Sequence, residues 1–270
     1  HIAPVFNNLV IKNNNSSSRG GGIYNENSNA VFTNIIVKNN TASSFGGGIY
    51  NNESAATFTY VTIDGNQAGS YGGGIYDKAD VDYYENAYYH STFEQVTIKN
   101  NAASSGGGVY SSSNSSVYTN VLIENNNSDD YGYGGGFYND YEGSPILTNV
   151  QITGNSAYYY GGGFYNNNSS LNDKYPALTN VLIADNTAGE GGGGYYERSN
   201  EDAPTILTNV TIANNTPNAI QVNGGWLRLD NSIAFGGVGL DDYDDVVFTS
   251  QYSLTEDNTD TSNGNVNPEN

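Results

Sequence analysis

Three consecutive glycines followed by an apolar residue and a tyrosine recur seven times, and this repeat limits the fold more than any other feature of the chain. The triplets begin at Gly20, Gly46, Gly72, Gly106, Gly134, Gly161 and Gly192, at intervals of 26, 26, 34, 28, 27 and 31 residues. Self-similarity at such a period marks a repeat architecture, in which each unit buries its apolar face only by stacking on its neighbours. A second motif alternates with the first. It reads Thr-Asn-Val-x-Ile-x-Asn-Asn, as in Thr119–Asn126 and Thr208–Asn215, and a first copy starts by Phe6.

Each motif suits a short strand. Its apolar residues lie two apart and face one side, as strand alternation requires. The flanking Asn-Asn and Gly-Gly-Gly suit bends, because Asn and Gly accept positive φ. Sustained 3.6-residue periodicity is missing, which argues against helical solenoids. The spacing therefore predicts an all-β, right-handed parallel β-helix of about eight to nine coils. Three inward ladders are expected, running through Ile35–Val61–Val96, Val37–Ile63–Ile98 and Ile23–Ile49–Ile75 and on through equivalent positions. A fourth ladder is amide: Asn14, Asn40, Asn66, Asn101, Asn126, Asn155, Asn186 and Asn215. Stacked side-chain amides hydrogen-bond along such a row. One β-helix domain is expected over residues 1–254, with degenerate coils from about Pro217 and a polar closing segment over 255–270.

Composition narrows the function. The 270 residues include no Cys and no Met, so thiol chemistry and a disulfide framework are out. The first residue is His1, which reads as a processed product or a fragment. Net charge is −20, with 8 Lys and Arg against 28 Asp and Glu. Nucleic acid is a poor partner for such a chain, since phosphate binding needs clustered cations. No apolar run reaches the length of a membrane span.

The alternation of Gly-Gly-Gly-Ile with Ile-x-x-Asn resembles the repeats of bacterial polymorphic outer-membrane proteins. It is also similar to the β-helix repeats of bacterial surface proteins with a choice-of-anchor Q domain, whose closing segment Asn231–Gly236, Tyr252–Leu254 and Gly264–Pro268 resemble. This resemblance covers about residues 5–268 and implies an extracellular or cell-surface location and a structural or adhesive role.

The site expectations follow from the outward positions. The residue after each apolar position is Tyr24, Tyr50, Tyr76, Tyr110, Tyr138, Tyr165 and Tyr196. Alternation turns these outward, as an aromatic stripe for self-association or glycan binding, or as cross-coil stacking that stabilises the wall. Loop tyrosines Tyr83, Tyr84, Tyr88, Tyr89, Tyr158, Tyr159 and Tyr160 extend the same chemistry. Asp241, Asp242, Asp244 and Asp245 are weak Ca²⁺ candidates; otherwise no cofactor is expected, and His1 and His90 lack the spacing of a transition-metal site. The expected partners are copies of the chain, end to end or laterally, and surface glycans. The expected function is an extracellular structural protein, a filament subunit or adhesin without catalysis. The rival is a carbohydrate-active β-helical enzyme, a lyase or glycoside hydrolase, which would need convergent carboxylates on one face.

Overall fold

A computed structural model describes residues 3–79, 90–129, 131–168, 175–199, 204–241 and 246–255. The chain is a right-handed parallel β-helix, and every inter-strand pairing is parallel. Three faces make up each full coil. The long face begins with Val5–Lys12 and Val31–Lys38 and continues as paired short strands such as Thr57–Thr59 with Thr62–Asp64. A short face follows, from Asn15–Ser16 and Thr41–Ala42 to Thr187–Ala188. The glycine face comes third, from Ile23–Glu26 and Ile49–Asn52 to Tyr195–Arg198. Ile220–Asp230 then runs across the glycine and long faces as one strand, and the last described rung ends at Leu254–Thr255.

Local chemistry sets the corners. The long face bends at Asn34, Tyr60, Gln95, Asn120, Asn149, Asn180 and Asn209, all at φ between 53° and 56°. The next bend uses the first residue of the Asn-Asn pair, for example Asn39 and Asn125; Gly65 and Gly154 stand at the same place in other coils. Asn and Gly enter the left-handed region most readily, which is why they recur here.

The three expected apolar ladders are buried as read. A further apolar row was not anticipated: Phe32, Phe58, Phe93, Tyr118, Leu147, Leu178 and Leu207 are all buried and in register. Its first rings stack at 4.6–4.9 Å. Small residues, Ala42, Ala68, Ala103, Ser128, Ala157 and Ala188, line the short face, where the wall turns tightly.

The amide ladder is complete from Asn14 to Asn215. In each step the Oδ1 of one Asn accepts both the backbone N–H and the Nδ2–H of the Asn one coil earlier, at 2.9–3.0 Å. The second Nδ2 hydrogen goes to the backbone carbonyl of an inward residue in that earlier coil, as from Asn126 to Ile98 at 3.0 Å. Every polar atom of these buried amides is thereby paired, which is the condition for keeping them in a core. The row stops at Asn215, whose Nδ2 turns back to Ala213 of its own coil.

Candidate interaction surfaces

The seven tyrosines after the glycines form a continuous stack. Neighbouring ring centroids lie 4.9–5.3 Å apart, parallel except on either side of Tyr138, which stands edge-on at 87° and 85°. The accessibility expected of the stripe is corrected. Tyr50, Tyr76, Tyr110, Tyr138, Tyr165 and Tyr196 are buried, and only Tyr24 is open, at 52%. The cover comes from the residue before each glycine triplet. Phe45 lies on Tyr76, Tyr71 on Tyr110, Tyr133 on Tyr165 and Tyr160 on Tyr196, at 4.6–5.1 Å. Arg19 takes the same place over Tyr50, with its guanidinium 5.3 Å from the ring centroid. Each cover thus shields the tyrosine of the following coil. Where Ser105 replaces an aromatic cover, Tyr138 turns its ring edge-on.

Backbone geometry produces this fold-back. The first glycine of each triplet adopts φ between 58° and 69°. At Gly134 a Cβ would also stand 2.7 Å from the Tyr138 Cβ. The result is a second, satellite core outside the coil interior. Its hydroxyls are engaged. Tyr110 donates to Asp140, Asn167 donates to Tyr138 and Asp140, and Arg19 donates to Tyr50. Burial first, and then the Asp140 charge, push the Tyr110 and Tyr138 phenols far above their ordinary value. Burial also raises Tyr165 to about 12.

Tyr24, Tyr60, Tyr141 and Tyr252 are exposed at scattered places, and a cluster of exposed aromatic rings lies on the corner between the short and glycine faces. Tyr131 is 66% exposed and Tyr158 is 50% exposed, with ring centroids 5.0 Å apart. Tyr159 stands edge-on to Tyr158 at 4.8 Å and lies 5.8 Å from Tyr131. Tyr133 and Tyr160 back this group and join it to the satellite core. Tyr160 hydrogen-bonds Glu190, and that bond first, then burial, raises its phenol to about 12. The sequence reading included Tyr158, Tyr159 and Tyr160 but missed Tyr131, whose place depends on the longer Asp129–Tyr133 connection. Tyr83, Tyr84, Tyr88 and Tyr89 lie outside the described residues, as do Asp242, Asp244 and Asp245. The remaining Ca²⁺ candidate, Asp241, accepts hydrogen bonds from Gln221 and Asn223. Among the described residues, no three His, Cys, Asp or Glu side chains group as metal ligands.

Two buried acids were not foreseen. The third residue of each glycine-face strand points inward with the first, and there Asn25 donates to Asn51, which donates to Asp77, at 2.7 Å each. Asn139 likewise donates to Asn166, which donates to Glu197, at 2.8 Å each. Asp77 also accepts from Ser116 and Asn114, and Glu197 from Tyr195 and Thr205. Burial raises Asp77 to about 6 and Glu197 to about 7, against the pull of these donors. In the folded state both acids hold protons at pH values where the unfolded chain has lost them. Their stabilising contribution is therefore full below about pH 4 and is lost as pH rises through 6–7. Asp77→Asn and Glu197→Gln should each stabilise the protein at pH 8, by on the order of 1–3 kcal/mol. They should also flatten the fall in Tm between pH 5 and pH 8 (assay values). A pH-dependent Tm unchanged in both variants contradicts the assignment.

These features define a parallel β-helix repeat protein with, among the described residues, a sealed tyrosine wall and an exposed aromatic corner. Three of its coils are similar to a known bacterial repeat: residues 8–26, 34–52 and 60–78 match the Chlamydia polymorphic membrane protein (Chlamydia_PMP) repeat. Each matched segment runs from the long-face bend at Asn8, Asn34 or Tyr60 through the next corner and the glycines to the end of the glycine-face strand, so the expected resemblance holds for these coils. The match associates the repeats with a bacterial surface or outer-membrane protein class. No curated protein and no solved structure matches the chain.

Proposed function

We propose that this chain is a non-catalytic, surface-displayed structural rod that makes adhesive contact through the corner formed by Tyr131, Tyr158 and Tyr159. The observation behind this reading is the contrast between two sets of tyrosines. The long stripe is sealed inside the wall, whereas the corner group presents ring faces and edges to solvent. Exposed, mutually braced aromatic rings supply contact area at little cost in side-chain entropy, and their hydroxyl tips remain able to hydrogen-bond. Sugar rings and apolar protein side chains both fit such a platform. The surface association of the matched repeat agrees with a role outside the cell.

Beads coated with the protein should bind glycan arrays or host matrix proteins. Tyr131→Ala combined with Tyr158→Ala should reduce that binding at least 10-fold, as loss of a central aromatic pair does at other interfaces. Both side chains are exposed, so Tm should move by less than about 1 kcal/mol equivalent. Undiminished adhesion of the folded double variant, or no adhesion by the parent protein, overturns the proposal.

A further inference from the structure

The long face carries the longest rungs of the rod, and its charge differs from that of the rest of the chain. Its strands carry four cations, Lys12, Lys38, Lys99 and Arg228, and four carboxylates, Asp64, Glu94, Glu124 and Asp230. The face is neutral, so the entire net charge of −20 sits elsewhere. It also exposes aliphatic surface, with Ile36 at 40%, Ile146 at 42% and Ile233 at 38%. These side chains are spread along the face, on rungs several coils apart, among mostly small and polar neighbours.

The order of charges along one border points to the partner. Lys12, Lys38, Asp64, Lys99 and Glu124 are in register in successive coils. Read along the rod, their signs run plus, plus, minus, plus, minus. Turning a second copy through 180° about a strand-parallel axis, between the Asp64 and Lys99 rungs, sets the two long faces together with the rods antiparallel. Lys38 then faces Glu124 of the other copy, and Asp64 faces Lys99, with each pair occurring twice. Such self-complementarity is what a two-fold, isologous interface requires. The overlap spans about six rungs at ~4.8 Å by eight residues at ~3.3 Å, or roughly 750 Å² per copy. This is close to the ~800 Å² per partner of a standard stable interface.

We infer that the long face is a homodimer interface, closed around the axis between the Asp64 and Lys99 rungs. Neutrality matters as much as pairing here, because it is the face on which two chains of −20 approach with the least repulsion. Dimerisation should therefore strengthen as salt rises from low values, where repulsion between the acidic remainders is screened.

Sedimentation equilibrium of the whole chain, at loading concentrations up to about 0.2 mM, a range that captures weak interfaces, tests this. The parent protein should sediment as a dimer. Lys38→Glu should weaken dimerisation at least 10-fold, and Lys38→Glu with Glu124→Lys should restore it, because the swapped pair recreates the contact. Both residues are partly exposed on the outer wall, so circular dichroism should confirm an unchanged fold. Because the chain has no Cys, an equimolar mixture of the Thr62→Cys and Thr97→Cys single variants offers a second reading. Those two positions face each other across the axis and should form intermolecular disulfides under mild oxidation. A monomeric parent protein, a dimer insensitive to Lys38→Glu, or failure of the charge swap to restore association overturns the inference.

Discussion

Asn126→Ala should destabilise the protein by about 4 kcal/mol or more, while Asn125→Gly, one residue away, should change stability by less than about 1 kcal/mol. The Asn126 Oδ1 accepts two hydrogen bonds from Asn101, and its Nδ2 donates to Ile98 and Asn155. Truncation leaves the Asn101 N–H and one Asn101 amide hydrogen buried without partners and removes one of the bonds to the Ile98 carbonyl and to the Asn155 Oδ1. Each such group costs roughly 1–3 kcal/mol, and the losses combine less than additively. Asn125 differs because its backbone, at φ 54°, is what matters, and Gly65 and Gly154 occupy the same place in neighbouring coils. Coupling in a solenoid runs between adjacent coils, so the Ala variant should also broaden the urea transition or split it in two. A single unshifted transition contradicts the role given to the ladder.

Gly135→Ala should be at least as damaging, and Gly191→Ala nearly silent. A Cβ at Gly135 would lie 2.2 Å from the Ser156 carbonyl oxygen and 2.7 Å from that of Gly162, both backbone atoms of the next coil. The Gly162 oxygen accepts the Gly136 N–H and the adjacent Gly161 oxygen accepts the Gly135 N–H, so the two coils cannot separate there to make room. Overpacking of this kind usually costs 1–3 kcal/mol where side chains can move, and more where only backbone can. At Gly191 the nearest neighbours are side-chain atoms of Gln221 at 3.4–3.6 Å, and that flexible group can shift. Soluble yield and Tm of the two variants, compared side by side, decide the point. A folded Gly135→Ala protein with parent-like Tm would falsify this view of the triplet.

The same two motifs explain how much was legible in advance. Val-x-Ile and Gly-Gly-Gly-Ile show their inward residues by alternation, and the fixed Asn after them shows the amide ladder, because each depends on one coil repeated. The Phe32–Phe58–Phe93 row was hidden because its later members change to Tyr and then Leu. Asp77 and Glu197 were hidden among asparagines, although alternation from Ile75 and Tyr195 turns them inward too. The sealing of the tyrosine stripe was the hardest feature to read. It arises from a stagger between coils, in which Phe45 of one covers Tyr76 of the next, and no single repeat contains both partners. The aromatic residues before the glycines at Phe45, Tyr71, Tyr133 and Tyr160 were the available signal.

That relocation of the accessible tyrosines, from the stripe to the corner, is the centre of the account, and residue-resolved nitration tests it most directly. The folded protein would be treated briefly with tetranitromethane and its peptides mapped by mass spectrometry. Tyr131 and Tyr158 should be nitrated early, together with the exposed Tyr24, Tyr60, Tyr141 and Tyr252, while Tyr76, Tyr110, Tyr165 and Tyr196 remain protected until the protein is unfolded. Nitration of the stripe at the rate of Tyr131, with the fold intact, would contradict the account and return the stripe to the surface as a binding face.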